Sequence, residues 1–213
     1  MNPDGSEQTN LSNNGAEDFN PVWSPDGSQV AFVSKRKTTD EGIQNIFVVN
    51  ADGSNLRQLT HHFYADWPSW SNDGKRIAYT DGDILIMNAD GSGEPINLTH
   101  DEVKDTRPSW SPDGTKIAWS SGDDGQWNLF VMDADGSNRK QLTDNGQVFG
   151  ATWTIDGRLL TNWGWQDREE FCHNCIVTAD GSEIVDGGGK GTLVNFVPFV
   201  TADGERVELA AVD

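Results

Sequence analysis

Between Ser109 and Thr143 the chain changes its polarity pattern four times. Ser109-Trp110-Ser111 places one large apolar side chain between two polar ones and reads as a short strand with its indole turned inward. Pro112-Asp113-Gly114 is a tight turn: proline presets φ, and glycine accepts the positive φ that other residues avoid. Lys116-Ile117-Ala118-Trp119-Ser120 mixes polar and apolar positions as a half-buried return strand does. A variable loop is expected over Ser121–Gln126. Trp127-Asn128-Leu129-Phe130-Val131-Met132 is more apolar and predicts a third, buried strand. After a second glycine turn, Asp133–Ser137, comes Arg139-Lys140-Gln141-Leu142-Thr143, whose polarity suits a strand at an outer edge. No segment sustains a helical period, so the expectation is all-β.

The same pattern recurs. WSPDGSQVAFVS at 23–34 returns as WSNDGKRIAYT at 70–80, WSPDGTKIAWSS at 110–121, WTIDGRLLTNW at 153–163 and VTADGERVEL at 200–209. A second phrase interleaves: NADGSNLRQLT at 50–60, NADGSGEPINLT at 88–99, DADGSNRKQLT at 133–143, with shorter forms at 2–12 and 178–183. The aspartates of the first phrase fall at 26, 73, 113, 156 and 203, a period of roughly 40–47 residues. Four antiparallel strands in a unit of that length describe a propeller blade. Such units cannot bury an apolar face alone and must stack.

The paired phrases WSPDGxxIAF and NADGSxxxQLT resemble the PD40 repeats of TolB-like β-propellers, over essentially the whole chain. The resemblance implies a ring of six or seven blades. Here the repeats number about five, with units at about 1–12 (partial), 13–60, 61–99, 100–143, 144–194 and 195–213 (partial), read as one domain over 1–213. The chain starts inside a repeat, since Met1–Ser6 matches Met87–Ser92. Two arrangements follow: a five-bladed ring whose split last blade joins strands near 195–212 to residues 7–12, or part of a larger ring. Unpaired edges at an open seam would recruit other chains, so a homo-oligomer is one expectation. The fourth unit departs from the pattern at Trp163–Asp167 and at 186–191, DGGGKG.

Charge narrows the partners. With 34 acidic against 15 basic residues the net charge is −19, which disfavours nucleic acid and anionic membranes and favours divalent cations or basic protein faces. No apolar run reaches spanning length and no signal peptide is visible in this chain. The resemblance implies a periplasmic or extracellular location.

Candidate chemistry lies in the segments entering the tryptophan strands. Counted from the preceding Ser or Thr, the first position is Asn13, His61, His100 and Asp144, and the sixth is Asp18, Asp66, Asp105 and then Phe149. In a propeller these segments rim one mouth of the central channel. The ligand-binding candidates are therefore Asn13, Asp18, His61, His62, Asp66, Trp67, His100, Asp101, Asp105 and Asp144. Among them His61, His100, Asp66 and Asp105 form a candidate metal set, for calcium or a transition metal. Phe63, Trp67, Trp163 and Trp165 are candidates for a stacking platform. The Asp-Gly-Ser turns break the alternation a calcium loop needs and read as turns. Cys172-His173-Asn174-Cys175 falls short of four zinc ligands and reads first as structural or incidental, either a short-loop disulfide or free thiols within a strand, with metal and redox readings behind. The sequons at Asn10 and Asn97 sit at equivalent repeat positions and follow from the repeat phrase. No nucleophile elbow, H-E-x-x-H or P-loop is present, so no catalytic residue is assigned. The reading is a non-enzymatic extracytoplasmic scaffold or binding module for a protein or glycan partner. The alternatives are a metal-dependent polysaccharide lyase or hydrolase using His61, His62, Asp66, His100 and Asp105, and an accessory propeller of a larger hydrolase.

Overall fold

The computed structural model describes residues 6, 8–36, 44–61, 64–123, 125–144, 148–164 and 171–185, with the side chains of all of these except 162–164, 171–174 and 184–185. These residues form four sheets of four antiparallel strands each, and no helix occurs among them. The first sheet is β1 (Asp18–Trp23), β2 (Gln29–Ser34), β3 (Asn45–Asn50) and β4 (Arg57–Gln58). The second is β5 (Asp66–Trp70), β6 (Arg76–Asp81), β7 (Asp83–Asn88) and β8 (Ile96–Asn97). The third is β9 (Lys104–Trp110), β10 (Lys116–Asp123), β11 (Gln126–Asp133) and β12 (Lys140–Gln141). The fourth is β13 (Ala151–Trp153), β14 (Arg158–Gly164), β15 (Phe171–Thr178) and β16 (Ile184–Val185). Within each sheet the strands lie in chain order. The first strands, β1, β5, β9 and β13, lie side by side from sheet to sheet and form the inner wall.

The core is divided among the junctions between sheets. One cluster joins Val33, Ile46 and Val48 of the first sheet to Trp70, Ile77 and Tyr79 of the second. The next joins Ile84 and Ile86 to Trp110, Ile117 and Trp119. A third joins Leu129 and Val131 to Trp153 and Leu159. The repeated tryptophan thus serves as the wedge between neighbouring blades. Trp70 Nε1 donates to the Val22 carbonyl (3.3 Å) and Trp153 Nε1 to the Ser109 carbonyl (2.9 Å), so these two indoles also tie their blades to the inner strand before them. Trp23 is the exception at 56% exposed, because no described blade precedes it.

Two local features differ from the sequence expectation. In the first three blades the inner strands begin well before Ser109 and its equivalents, because the segments expected as loops pair with the second strands; Asp105 lies opposite Ser121 and Asp66 opposite Thr80. Of the loop expected over Ser121–Gln126, most continues the hairpin, with Gly122 opposite Trp127 and Asp123 opposite Gln126. The seam strands expected near 195–212 and the segment at 186–191 lie outside the described residues.

The Ser/Thr-x-Asp-Gly turns explain why the first phrase repeats. Ser111 Oγ donates to Asp113 Oδ1 (2.6 Å) and accepts from the Lys116 amide (2.9 Å), while the Thr115 amide donates to the same carboxylate (3.0 Å). Ser24–Asp26, Ser71–Asp73 and Thr154–Asp156 repeat the arrangement. The serine is thereby committed to the turn. Hydrogen bonds hold the Asp26 and Asp156 carboxyls down to about 2, and those of Asp73 and Asp113 below their usual value. A carboxyl held low in the folded state contributes stability above its unfolded value and loses it as pH falls through the folded one. We therefore expect a thermal midpoint that is steady down to about pH 4 and declines between about pH 4 and pH 2. Calorimetry across that range checks this, and a combined Asp26→Ala, Asp73→Ala, Asp113→Ala variant should show a shallower decline.

Candidate functional site

The inner strands of the first three blades each carry a β-bulge three residues before the tryptophan. The bulged residues Asn20, Trp67 and Arg107 all have left-handed backbone, with φ of 50°, 51° and 54°, and Gly150 (φ 99°) occupies the same place in the fourth blade. In the first three blades the next residue is proline, Pro21, Pro68 or Pro108. Proline has no N–H to donate, so it suits a place where the ladder is interrupted. Positive φ is costly for non-glycine residues and persists where surrounding contacts hold it.

Those contacts run from blade to blade. Asn20 Nδ2 donates to Asp66 Oδ1 (2.7 Å), and Asp66 also accepts from Gln44 Nε2 (3.2 Å) and from the Trp67 amide (2.6 Å). The Arg107 guanidinium lies over the Trp67 ring, 4.2 Å from its centroid, and donates to the Phe149 carbonyl. The Phe149 ring lies 5.9 Å from the Arg107 guanidinium and 5.9 Å from the Trp127 ring. Burial pushes Arg107 below its usual value, and the Asp66 charge opposes that shift. The result is a run from the first blade to the segment entering the fourth: Asn20–Asp66, then Trp67–Arg107–Phe149–Trp127.

A second repeated device lies behind the rim. Thr60, Thr99 and Thr143 accept through Oγ1 from the amides of Ile46, Ile84 and Leu129. Each hydroxyl donates to the residue before that amide: Asn45 (3.0 Å), Asp83 (3.4 Å) and Asn128 (3.4 Å). The second blade thus has a carboxylate where its neighbours have an amide. Asp83, Asp101 and Asp105 each bring one oxygen into a group whose members all lie within 4.8 Å of one another.

No protein-family model matches the chain. An uncharacterized protein of Agrobacterium fabrum is 33% identical over 174 residues, which cover 81% of this chain and 45% of that protein. The structure of a TolB-type protein from Agrobacterium tumefaciens superposes with a TM-score of 0.67 at 25% identity, over 78% of this chain and 63% of that one. The chain is a TolB-like β-propeller. TolB from Acinetobacter baumannii shares the fold at 18% identity, with a TM-score of 0.64 over 79% of this chain and 43% of that one. The propeller therefore spans about half of the curated relative and under two thirds of either TolB structure. An oligogalacturonate lyase in complex with manganese (13% identity, TM-score 0.62) and a nidogen/laminin complex (14%, 0.63) share the fold alone.

The TolB-like frame scatters the sequence candidates. Asp18, in β1, is half-buried and meets Arg36 at 3.4 Å. Asp66 is buried and taken up by Asn20, Gln44 and the Trp67 amide. Asn13 and His100 are exposed, with left-handed backbone and amides donating to Asn10 Oδ1 and Asn97 Oδ1. His61 and Asp144 are exposed. His62, Phe63 and Trp165 lie outside the described residues, as does the Trp163 side chain. Of the metal candidates His61, His100, Asp66 and Asp105, only Asp105 belongs to the carboxylate group, the only such set among the described residues. Asp101 joins it from the wider list of candidates.

Asp105 is 1% exposed; Oδ1 accepts from Trp119 Nε1 (3.0 Å), and Oδ2 has no hydrogen-bond partner among the described residues. Burial pushes its carboxyl up, the nearby hydroxyls of Ser121 and Thr99 oppose that, and the Asp101 charge adds to it. Asn97 is engaged too: its amide donates to Asp83 Oδ2 (2.5 Å) and its carbonyl oxygen accepts from the Thr99 and His100 amides. That explains the sequon as part of the turn. Cys175 is buried and disulfide-bonded, so its sulfur is no thiolate ligand. Sequence reasoning missed Asn20, Asp83, Arg107 and Trp127.

Proposed function

We propose that this propeller is a non-enzymatic binding module that works outside the cytoplasm and presents its channel-mouth rim to a partner protein. The observation that carries the reading is the run Trp67–Arg107–Phe149–Trp127. Tryptophan and arginine are among the residues most enriched at protein-binding hot spots, and here Trp67 and Arg107 are held in place by a bulge repeated in the first three blades. Phe149 is 47% exposed at the end of that run. A sugar ring needs a free aromatic face, whereas one face of Trp67 is already covered by Arg107; this favours a protein over a glycan. The disulfide at Cys175 supports an oxidising compartment, as does the kinship with TolB.

The enzymatic alternative lacks comparable support. Likeness to a manganese-bound lyase at 13% identity speaks to fold only, and His61, His100, Asp66 and Asp105 do not converge.

The test is a photo-crosslinking amino acid placed at Phe149 and, as control, at the exposed Ile155, in an extract of the source cells. The Phe149 probe should give a discrete adduct with one protein, the Ile155 probe none. Trp67→Ala with Arg107→Ala should reduce the adduct at least about tenfold while the chain still melts cooperatively. Equal adducts from both positions, or one indifferent to Trp67 and Arg107, would remove the rim from consideration.

A further inference from the structure

We propose that Asp83, Asp101 and Asp105 bind one hard divalent cation, calcium foremost, at the junction of the second and third blades. The three carboxylates come from β7, the loop after β8, and β9, and offer oxygens within 4.8 Å of one another. Asp105 is the buried member of that group, and its Oδ2 has no hydrogen-bond partner among the described residues. A carboxylate so placed is expensive unless a cation answers it.

Comparison among the repeats shows that this charge is peculiar to one junction. The Asp105 amide donates to the Gly82 carbonyl, as the Ala65 amide does to Gln44 and the Val148 amide to Trp127. Ala65 and Val148 are both fully buried apolar residues, so at these two places the slot belongs to the core. In the first blade the slot holds Asp18, which lies opposite Ser34 and pairs with Arg36 two residues on. Asp105 lies opposite Ser121, and two residues on stands Asp123 in place of an arginine. Asp83 adds a second carboxylate where the neighbouring blades have Asn45 and Asn128, and Asp101 a third. Among the described residues the one cation paired with the group is Arg139, whose guanidinium lies 3.7 Å from Asp101 Oδ2 and is otherwise occupied by the Leu98 and Thr99 carbonyls. Three negative groups therefore share one partial counter-charge. The donor set is entirely oxygen, and Asp101 is exposed, leaving room for water in the shell. Calcium accepts such irregular oxygen coordination, whereas magnesium demands a near-ideal octahedron.

The test uses the full chain, stripped with chelator and titrated with calcium chloride or magnesium chloride by calorimetry, with the thermal midpoint followed in parallel. One calcium should bind per chain and raise the midpoint, with magnesium weaker. Asp83→Asn, which installs the residue found at positions 45 and 128, should fold and weaken calcium binding at least about tenfold; Asp101→Asn should do the same. Asp105→Asn should abolish the calcium response while raising the midpoint of the stripped protein. Asp135→Asn, in an exposed turn, should leave binding intact. No saturable binding to the wild-type chain, or binding unchanged in both Asp83→Asn and Asp105→Asn, would overturn the site. Neither result bears on the rim proposed above.

Discussion

Trp70→Ala is expected to cost about 3–5 kcal/mol of folding free energy, whereas Trp23→Ala should cost less than about 0.5 kcal/mol. Both residues open the same repeated phrase, so propensity and local sequence give no reason for the difference. The reason lies in position. Trp70 is 8% exposed, belongs to the cluster between the first and second blades, and donates its indole N–H to Val22. Truncation leaves a large cavity between two sheets and an orphaned carbonyl. Trp23 has no described blade to press against. With total stability on the order of 5–15 kcal/mol, the Trp70 loss would remove a large share of it. Urea denaturation followed by circular dichroism separates the two variants. Equal losses would mean that Trp23 is covered too, and the wedge assignment would have to be redrawn.

The contrast also shows which part of the fold is legible in the chain. Periodic turns and tryptophans specify four-stranded units and their order, because each unit repeats the same local solution: Ser–Asp–Gly at one turn, Asp–Gly–Ser at the other. The mouth is not specified in that way. Counting from the preceding Ser or Thr places Asp18, Asp66 and Asp105 together. Counting from the tryptophan, which fixes the pairing, puts Asp18 and Asp105 at one position and Asp66 one residue further on. The segment between Thr60 and Trp70 is one residue shorter than that between Thr99 and Trp110. A shift of one residue in a strand turns the side chain to the other face. Asp66 therefore does not share the place of Asp18 and Asp105, although the count from the threonine aligns all three. Asp83 was readable in principle, as the one acid among Asn45, Asp83 and Asn128, but only once the threonine hydrogen bonds showed that those positions correspond. Arg107 gave no signal: its role depends on a bulge that turns it onto Trp67.

Asp66→Asn supplies the sharpest test of that distinction, with an expected loss of about 2–3 kcal/mol. The buried Asp66 carboxylate accepts from two side-chain amides and a backbone amide, so all of its neighbours are donors. Replacing one oxygen with NH₂ leaves a donor facing a donor, at either Asn20 or Gln44. The bulge at Trp67 then loses part of what holds its left-handed backbone, and Arg107 loses a favourable charge. Asp105→Asn should move the other way in metal-free protein, since Oδ2 has no hydrogen-bond partner among the described residues and removing a buried charge outweighs the help that the Ser121 and Thr99 hydroxyls give the carboxylate. The same chemical change is thus expected to destabilise one aspartate's surroundings and stabilise the other's, although both residues lie six positions after a threonine. Thermal melts of the two variants in chelator decide it: shifts of the same sign would mean that the two carboxylates share one environment, and the split of the mouth into a hydrogen-bonded rim and a cation site would fail.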